Sequence, residues 1–128
     1  MIDIAATKSS PRITFSEQDN TLVLSGESYP ENSFAFFEPV FEWLRDRLSG
    51  NEELHVSINI SYMNSSSTKC MLDLLDLLGD KSRHNCAASV SWHYEKENDR
   101  ALELAEEFQE EAAVPFHIVP IETSGSST

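Results

Sequence analysis

From Leu54 to Tyr62 the chain alternates, with Val56, Ile58 and Ile60 apolar at every second position, which predicts a strand that turns one face to a core. The alternation gives way to a run of small polar residues, Asn64-Ser65-Ser66-Ser67-Thr68. Beyond it the apolar positions from Cys70 to Leu78 recur at helical spacing and leave Lys69, Asp73, Asp76 and Asp80 on the wet side. The hydroxyl-rich run therefore reads as a loop between the C-terminal end of a central strand and a helix start. Backbone N–H groups and helix dipoles converge at that edge of an α/β sheet, which makes it the natural place for a functional site. The bland alternative is that one hydroxyl caps the helix and the others keep the turn polar.

The remaining pattern predicts a hairpin, Arg12 to Phe15 and Thr21 to Ser25 around the polar turn 16–20, followed by a loop over Gly26 to Ser33. A helix from Phe37 buries Val40, Phe41, Leu44 and Leu48 and ends before Gly50, with Pro39 in its first turn or kinking it. Ala87 to Tyr94 alternates as a strand. Asn98 caps a third helix that runs to about Ala113, and Phe116 to Val119 forms a last strand before Pro120. That third helix carries Glu103, Glu106, Glu107, Glu110 and Glu111 around an apolar stripe of Leu102, Ala105, Phe108 and Ala112, which reads as a solvated acidic face. The order ββαβαβαβ predicts one α/β domain over 11–121 with a mixed sheet and helices mainly on one face, preceded by an N-terminal segment 1–10 and followed by a disordered polar tail 122–128. Tyr62, Trp92 and Tyr94 then read either as partly exposed aromatics on the open face or as ordinary core.

The formal charge of −13 and the lack of any basic cluster argue against nucleic-acid binding and against direct adsorption to an anionic membrane. The start of the chain has no basic, apolar leader, and no apolar run is long enough to span a bilayer, so a cytoplasmic location is expected. Cys70 and Cys86 lie too far apart for a CxxC motif and are expected to be free thiols.

Catalytic chemistry is poorly represented. With glycine only at 26, 50, 79 and 125, neither GxGxxG nor GxxxxGK[ST] occurs, and there is no GxSxG elbow. His55, His84, His93 and His117 show no ligand spacing, so no metal, no cofactor and no catalytic residue is assigned. The end of the central strand offers Asn59, Ser61 and Asn64 rather than a carboxylate, which disfavours aspartyl phosphorylation and leaves the hydroxyls. A phosphoryl group near a helix start is compatible with the fold, because free N–H groups and the dipole favour negative charge there.

The layout resembles the STAS-like anti-sigma-factor antagonist fold. The segments GESYPENSFAFFEPVFEWL, INISYMNSSSTKCMLDLLDLL and WHYEKENDRALELAEEF more closely resemble the bacterial SiaC family of biofilm-regulating phosphoproteins, over nearly the whole chain outside the termini. The resemblance implies a non-enzymatic partner switch. A cognate protein kinase phosphorylates the turn threonine, which falls on Thr68, and a metal-dependent serine/threonine phosphatase reverses it. The unphosphorylated form binds and activates a diguanylate cyclase, raising cyclic di-GMP and promoting biofilm growth. Partner contacts are expected on Asn64, Ser65, Ser66 and Lys69, around the modified group. Two rival readings share the same loop: an anti-sigma-factor antagonist that controls transcription, and a small enzyme that holds a substrate phosphate at 64–69 through Lys69 and the helix start.

Overall fold

Six strands and three helices follow one another as β1 (Asp3–Ile4), β2 (Arg12–Ser16), β3 (Thr21–Ser28), α1 (Ser33–Arg47), β4 (Leu54–Met63), α2 (Ser65–Ser82), β5 (Ala88–Glu95), α3 (Asp99–Glu111) and β6 (Phe116–Ile121). The structure is a computed structural model, and it describes residues 2–49, 53–82 and 87–122. The strands form a single sheet in chain order, β1-β2-β3-β4-β5-β6. The first three are antiparallel neighbours and the last four are parallel neighbours, so the sheet is mixed as the sequence predicts. Because every crossover steps in the same direction, right-handed connections carry all three helices to one face. α1 packs on α2, and α2 on α3.

The core lies between that helical layer and one face of the sheet. Leu22 and Leu24 of β3, Val56, Ile58 and Ile60 of β4, and Val90 and Trp92 of β5 meet Phe37, Val40 and Leu44 of α1, Met71, Leu74, Leu75 and Leu78 of α2, and Ala105 and Phe108 of α3. Trp92 belongs to this core, stacked 4.8 Å from Phe108 and 6.1 Å from Phe116. The opposite face is mostly polar: Thr14, Ser25, His55, Ser57, Ser89, Ser91 and His93 are half-buried along it, Asn59 and His117 are exposed, and Val23, Val119 and Ile121 are its half-buried apolar positions.

Several boundaries differ from the sequence reading. β1 pairs Asp3 with Thr14 and Ile4 with Ile13, so the sheet begins inside the segment expected to precede the domain. A two-residue strand is too short to show a period. β3 runs on through Ser28, with Gly26 at φ 116°, a conformation that glycine adopts without steric cost. α1 starts four residues before Phe37, because the Asn32 side chain accepts from the Ala35 amide and so caps it. Pro39 consequently lies in the second turn rather than the first. The expected helix stop at Gly50, together with His84 and Cys86, falls outside the described residues, as does the tail beyond Glu122.

Candidate functional site

The hydroxyl-rich run is helix, not loop. α2 begins at Ser65, and the residue that starts it is Asn64, whose side-chain oxygen accepts from the Ser67 amide at 2.9 Å. The Asn64 carbonyl accepts the first helical bond, from the Thr68 amide at 2.9 Å, and also accepts from the Thr68 hydroxyl at 3.0 Å. None of the four hydroxyls is the cap. Asn64 outcompetes them because its amide oxygen reaches the third helical N–H while its own amide donates to the Ser28 carbonyl and continues the β3–β4 pairing.

Two of the hydroxyls turn inward. Ser67 Oγ lies 2.7 Å from Ser28 Oγ and 3.0 Å from Ser33 Oγ, and Ser33 Oγ lies 2.7 Å from Ser66 Oγ. Ser33 also donates to Asn64 Oδ1 at 3.4 Å, and Asn64 Nδ2 donates to the Pro30 carbonyl at 3.4 Å. Ser28, Ser33 and Ser67 are buried. The end of β3 and the starts of α1 and α2 are thus tied by one polar network, and burial without those partners would cost each hydroxyl about 1–3 kcal/mol. The sequence reading missed Ser28 and Ser33, which it placed in a loop. Of the expected contact residues, Asn64 and Ser66 commit polar atoms to this network, while Ser65 and Lys69 are exposed. Lys69 pairs with Asp73 at 3.8 Å, an exposed i, i+4 contact of small energetic weight.

Thr68 is half-buried and faces the other way. It lines a cleft of about 290 Å³ between α2 and α3 together with Leu72, Leu104, Phe108, Glu107, Glu110 and Glu111. The acidic face of α3, read from sequence as merely solvated, thereby becomes one wall of the cleft that holds the candidate phosphoacceptor. Only tertiary packing could reveal this, since forty residues or so separate the two walls. Sharing Leu104 and Glu107 with it is a second cavity of about 440 Å³, lined by Tyr62, Met63, Arg100 and Glu103 among others.

The two exposed large apolar side chains among the described residues, Phe34 at 51% and Tyr62 at 53%, both lie at this end of the molecule. Tyr62 is turned outward by an extra residue in β4: Gly26 pairs with Ile60 but Glu27 pairs with Tyr62, so Ser61 is unmatched and the alternation reverses. Its ring packs edge-on against Tyr29 at 5.8 Å. Cys70 of α2 is a buried free thiol, and burial, reinforced by the nearby Asp73 carboxylate, raises its pKa. Among the described residues no cluster of His, Cys, Asp and Glu is arranged to hold a metal ion, and no helix is long and apolar enough to cross a membrane.

Residues 4–121 match the family model described as the SiaC family regulatory phosphoprotein. An uncharacterized protein of Pseudomonas aeruginosa (strain UCBPP-PA14) is 40% identical over 118 residues, which is 91% of this chain and 94% of that one. Among solved structures, SiaC of P. aeruginosa superposes with a TM-score of 0.86 at 38% identity, over 94% of this chain and 98% of its own. The P. aeruginosa structure of diguanylate cyclase SiaD in complex with its activator SiaC matches with a TM-score of 0.89, again at 38% identity, over 94% of this chain and 100% of the matched chain. The family model over residues 4–121 and the 40% identity over 91% of the chain place this chain in the SiaC family of regulatory phosphoproteins.

Proposed function

We propose that this chain is a non-enzymatic partner switch, phosphorylated and dephosphorylated on Thr68, whose unphosphorylated form binds and activates a diguanylate cyclase and so raises cyclic di-GMP and promotes biofilm growth. The observation that carries this reading is the likeness, over almost the full length of both chains, to a protein whose structure is described as an activator in complex with a cyclase. A protein kinase and a metal-dependent serine/threonine phosphatase write and erase the mark in this scheme.

The geometry supports Thr68 as the regulated hydroxyl. Ser66 and Ser67 are spent in the internal network, whereas Thr68 lines the cleft. A phosphoryl group there adds about 1.5–2 negative charges where Glu107, Glu110 and Glu111 already stand. A partner cation paired with that group in the covered cleft offsets only part of the cost of taking both charges out of water. Seating an apolar partner side chain on Leu72 and Leu104 is worth about 1.5–3 kcal/mol, and desolvating a dianion costs several kcal/mol more. The loss outweighs the gain, so the phosphate disables the cleft. The same acidic wall disfavours the rival reading as a small enzyme, because it repels a substrate phosphate.

The reading is tested by incubating the chain with its kinase and mapping the modified residue by mass spectrometry. The expected result is a single phosphate on Thr68, absent in Thr68→Ala; modification of Ser65 alone would contradict it.

A further inference from the structure

We infer that Gln109 and Pro120 close the outer edge of β6 against strand addition by a second copy of this chain, by withdrawing both ends of a hydrogen bond that such a pairing would make twice. This closure follows from the backbone of the strand and does not depend on the functional reading above.

β6 is the edge at which closure matters. It ends the sheet, so no strand lies beyond it among the described residues, whereas the opposite edge is the two-residue β1. Its sequence, FHIVPI, holds no Lys, Arg, Asp or Glu to repel an approaching strand and is rich in β-branched residues. Without its proline it would have the composition of a self-pairing segment.

The bonds to β5 fix which backbone groups of β6 face outward. The Val90 amide donates to the Pro115 carbonyl at 2.9 Å, and the Lys96 amide donates to the Ile121 carbonyl at 2.8 Å. In a parallel ladder one residue turns both backbone groups to a neighbour and the next turns both away, so His117, Val119 and Ile121 face β5 while Phe116, Ile118 and Pro120 face out. A second β6 laid antiparallel across a twofold axis at Ile118 would set Ile118 against its own copy and Phe116 against the partner's Pro120. The Phe116 amide can reach the carbonyl of the partner's Pro120, but the return bond needs a donor at 120 and a free acceptor at 116. Pro120 has no N–H, and its ring stands where the donor would point. The Phe116 carbonyl already accepts from Gln109 Nε2 of α3 at 2.9 Å. Both ends of one bond are withdrawn, and symmetry withdraws them twice. A proline at 117 or 119 would instead break the ladder to β5, so at 120 it blocks the edge and spares the sheet.

The test is residue-resolved amide hydrogen exchange from about 10 to about 500 μM protein, with sedimentation at the same concentrations, on the unsubstituted chain, Pro120→Val, Gln109→Ala, the double variant and His117→Val. Circular dichroism melts verify each fold, and Pro120→Thr with Gln109→Ala serves as a second double variant should valine at 120 impair folding. Exchange at the Ile118 amide is expected to be independent of concentration in the unsubstituted chain, and to slow at least about tenfold at the highest concentration in the double variant as a dimer forms. Each single variant restores one end of the bond alone and should slow that exchange by less than about threefold. His117→Val adds a β-branched residue without changing any outward backbone group, and should stay within about twofold of the unsubstituted chain. Exchange at Ile118 that does not depend on concentration in a folded double variant would overturn the inference, as would concentration-dependent slowing in the unsubstituted chain. Slowing by His117→Val equal to that of the double variant would overturn it in favour of apolar area as the cause, and a dimer that leaves Ile118 exchange unchanged would overturn it in favour of another surface.

Discussion

Asn64 is the residue on which the site is built. It caps α2, donates to the Pro30 carbonyl and accepts from the hydroxyls of Ser33 and Ser66. Asn64→Ala should therefore cost about 1–2 kcal/mol in chemical denaturation, more than an isolated cap. Thr68→Ala should stay within about 0.5 kcal/mol of the parent, since it removes only a hydroxyl bonded to the carbonyl one turn back and gains helix propensity. A larger loss would mean that Thr68 holds the helix start after all. His55 supplies a pH signature away from the cleft. Its ring nitrogen lies 2.7 Å from Ser89 Oγ, and burial lowers its pKa from 6.5, with His117 and His93 adding to the effect. The unfolded chain thus binds the proton more readily, so this residue's contribution to stability is full above pH 6.5 and falls as the pH drops toward the folded value. Urea midpoints between about pH 7 and pH 5 should decline less steeply for His55→Gln than for the parent, and parallel declines would refute this.

At the scale of elements, α2 is the central helix of the layer, packed on α1 along one side and on α3 along the other. Its far end approaches the α3 exit so closely that a Cβ at Gly79 would meet Ala113 Cβ at 2.8 Å. Helix propensity alone would make Gly79→Ala stabilising by up to about 1 kcal/mol. The overlap reverses the sign, because forced packing costs about 1–3 kcal/mol. We expect a net loss of about 1 kcal/mol that Ala113→Gly restores, and a stabilising Gly79→Ala would show that the α2–α3 contact is slack. The same contact responds to phosphorylation. The Thr68 amide is already bonded to Asn64, so a phosphate there lacks the free N–H groups of a true first-turn site and instead faces the Glu107, Glu110 and Glu111 carboxylates. Phosphorylated protein should keep its fold but melt about 2–4 °C lower at low salt, and high salt or Glu107→Gln with Glu111→Gln should close the gap. A salt-independent shift would point away from the acidic wall.

For the whole molecule, the periodic parts were legible from sequence: the alternation at Val56, Ile58 and Ile60, the helical spacing from Cys70 to Leu78, and the one-sided covering of the sheet all recur in the fold. What was not legible depends on local competition or on distant contacts. Asn64 and Asn32 start their helices ahead of the apolar period, so reading the period alone placed both starts late. The unmatched Ser61 turns Tyr62 outward against the alternation, and a bulge leaves no mark on a single strand. The acidic face of α3 gained its meaning only when packing set it beside Thr68. The switch itself is tested most directly by titrating the cyclase with unmodified chain, with chain phosphorylated on Thr68, and with Thr68→Ala, following binding and cyclic di-GMP output together. Unmodified chain and Thr68→Ala should bind and activate alike, while the phosphorylated chain loses at least about a hundredfold in affinity and fails to activate at matched concentration. Equal activation by the phosphorylated and unmodified chains would contradict it, and tighter binding of the phosphorylated form would reverse its sign.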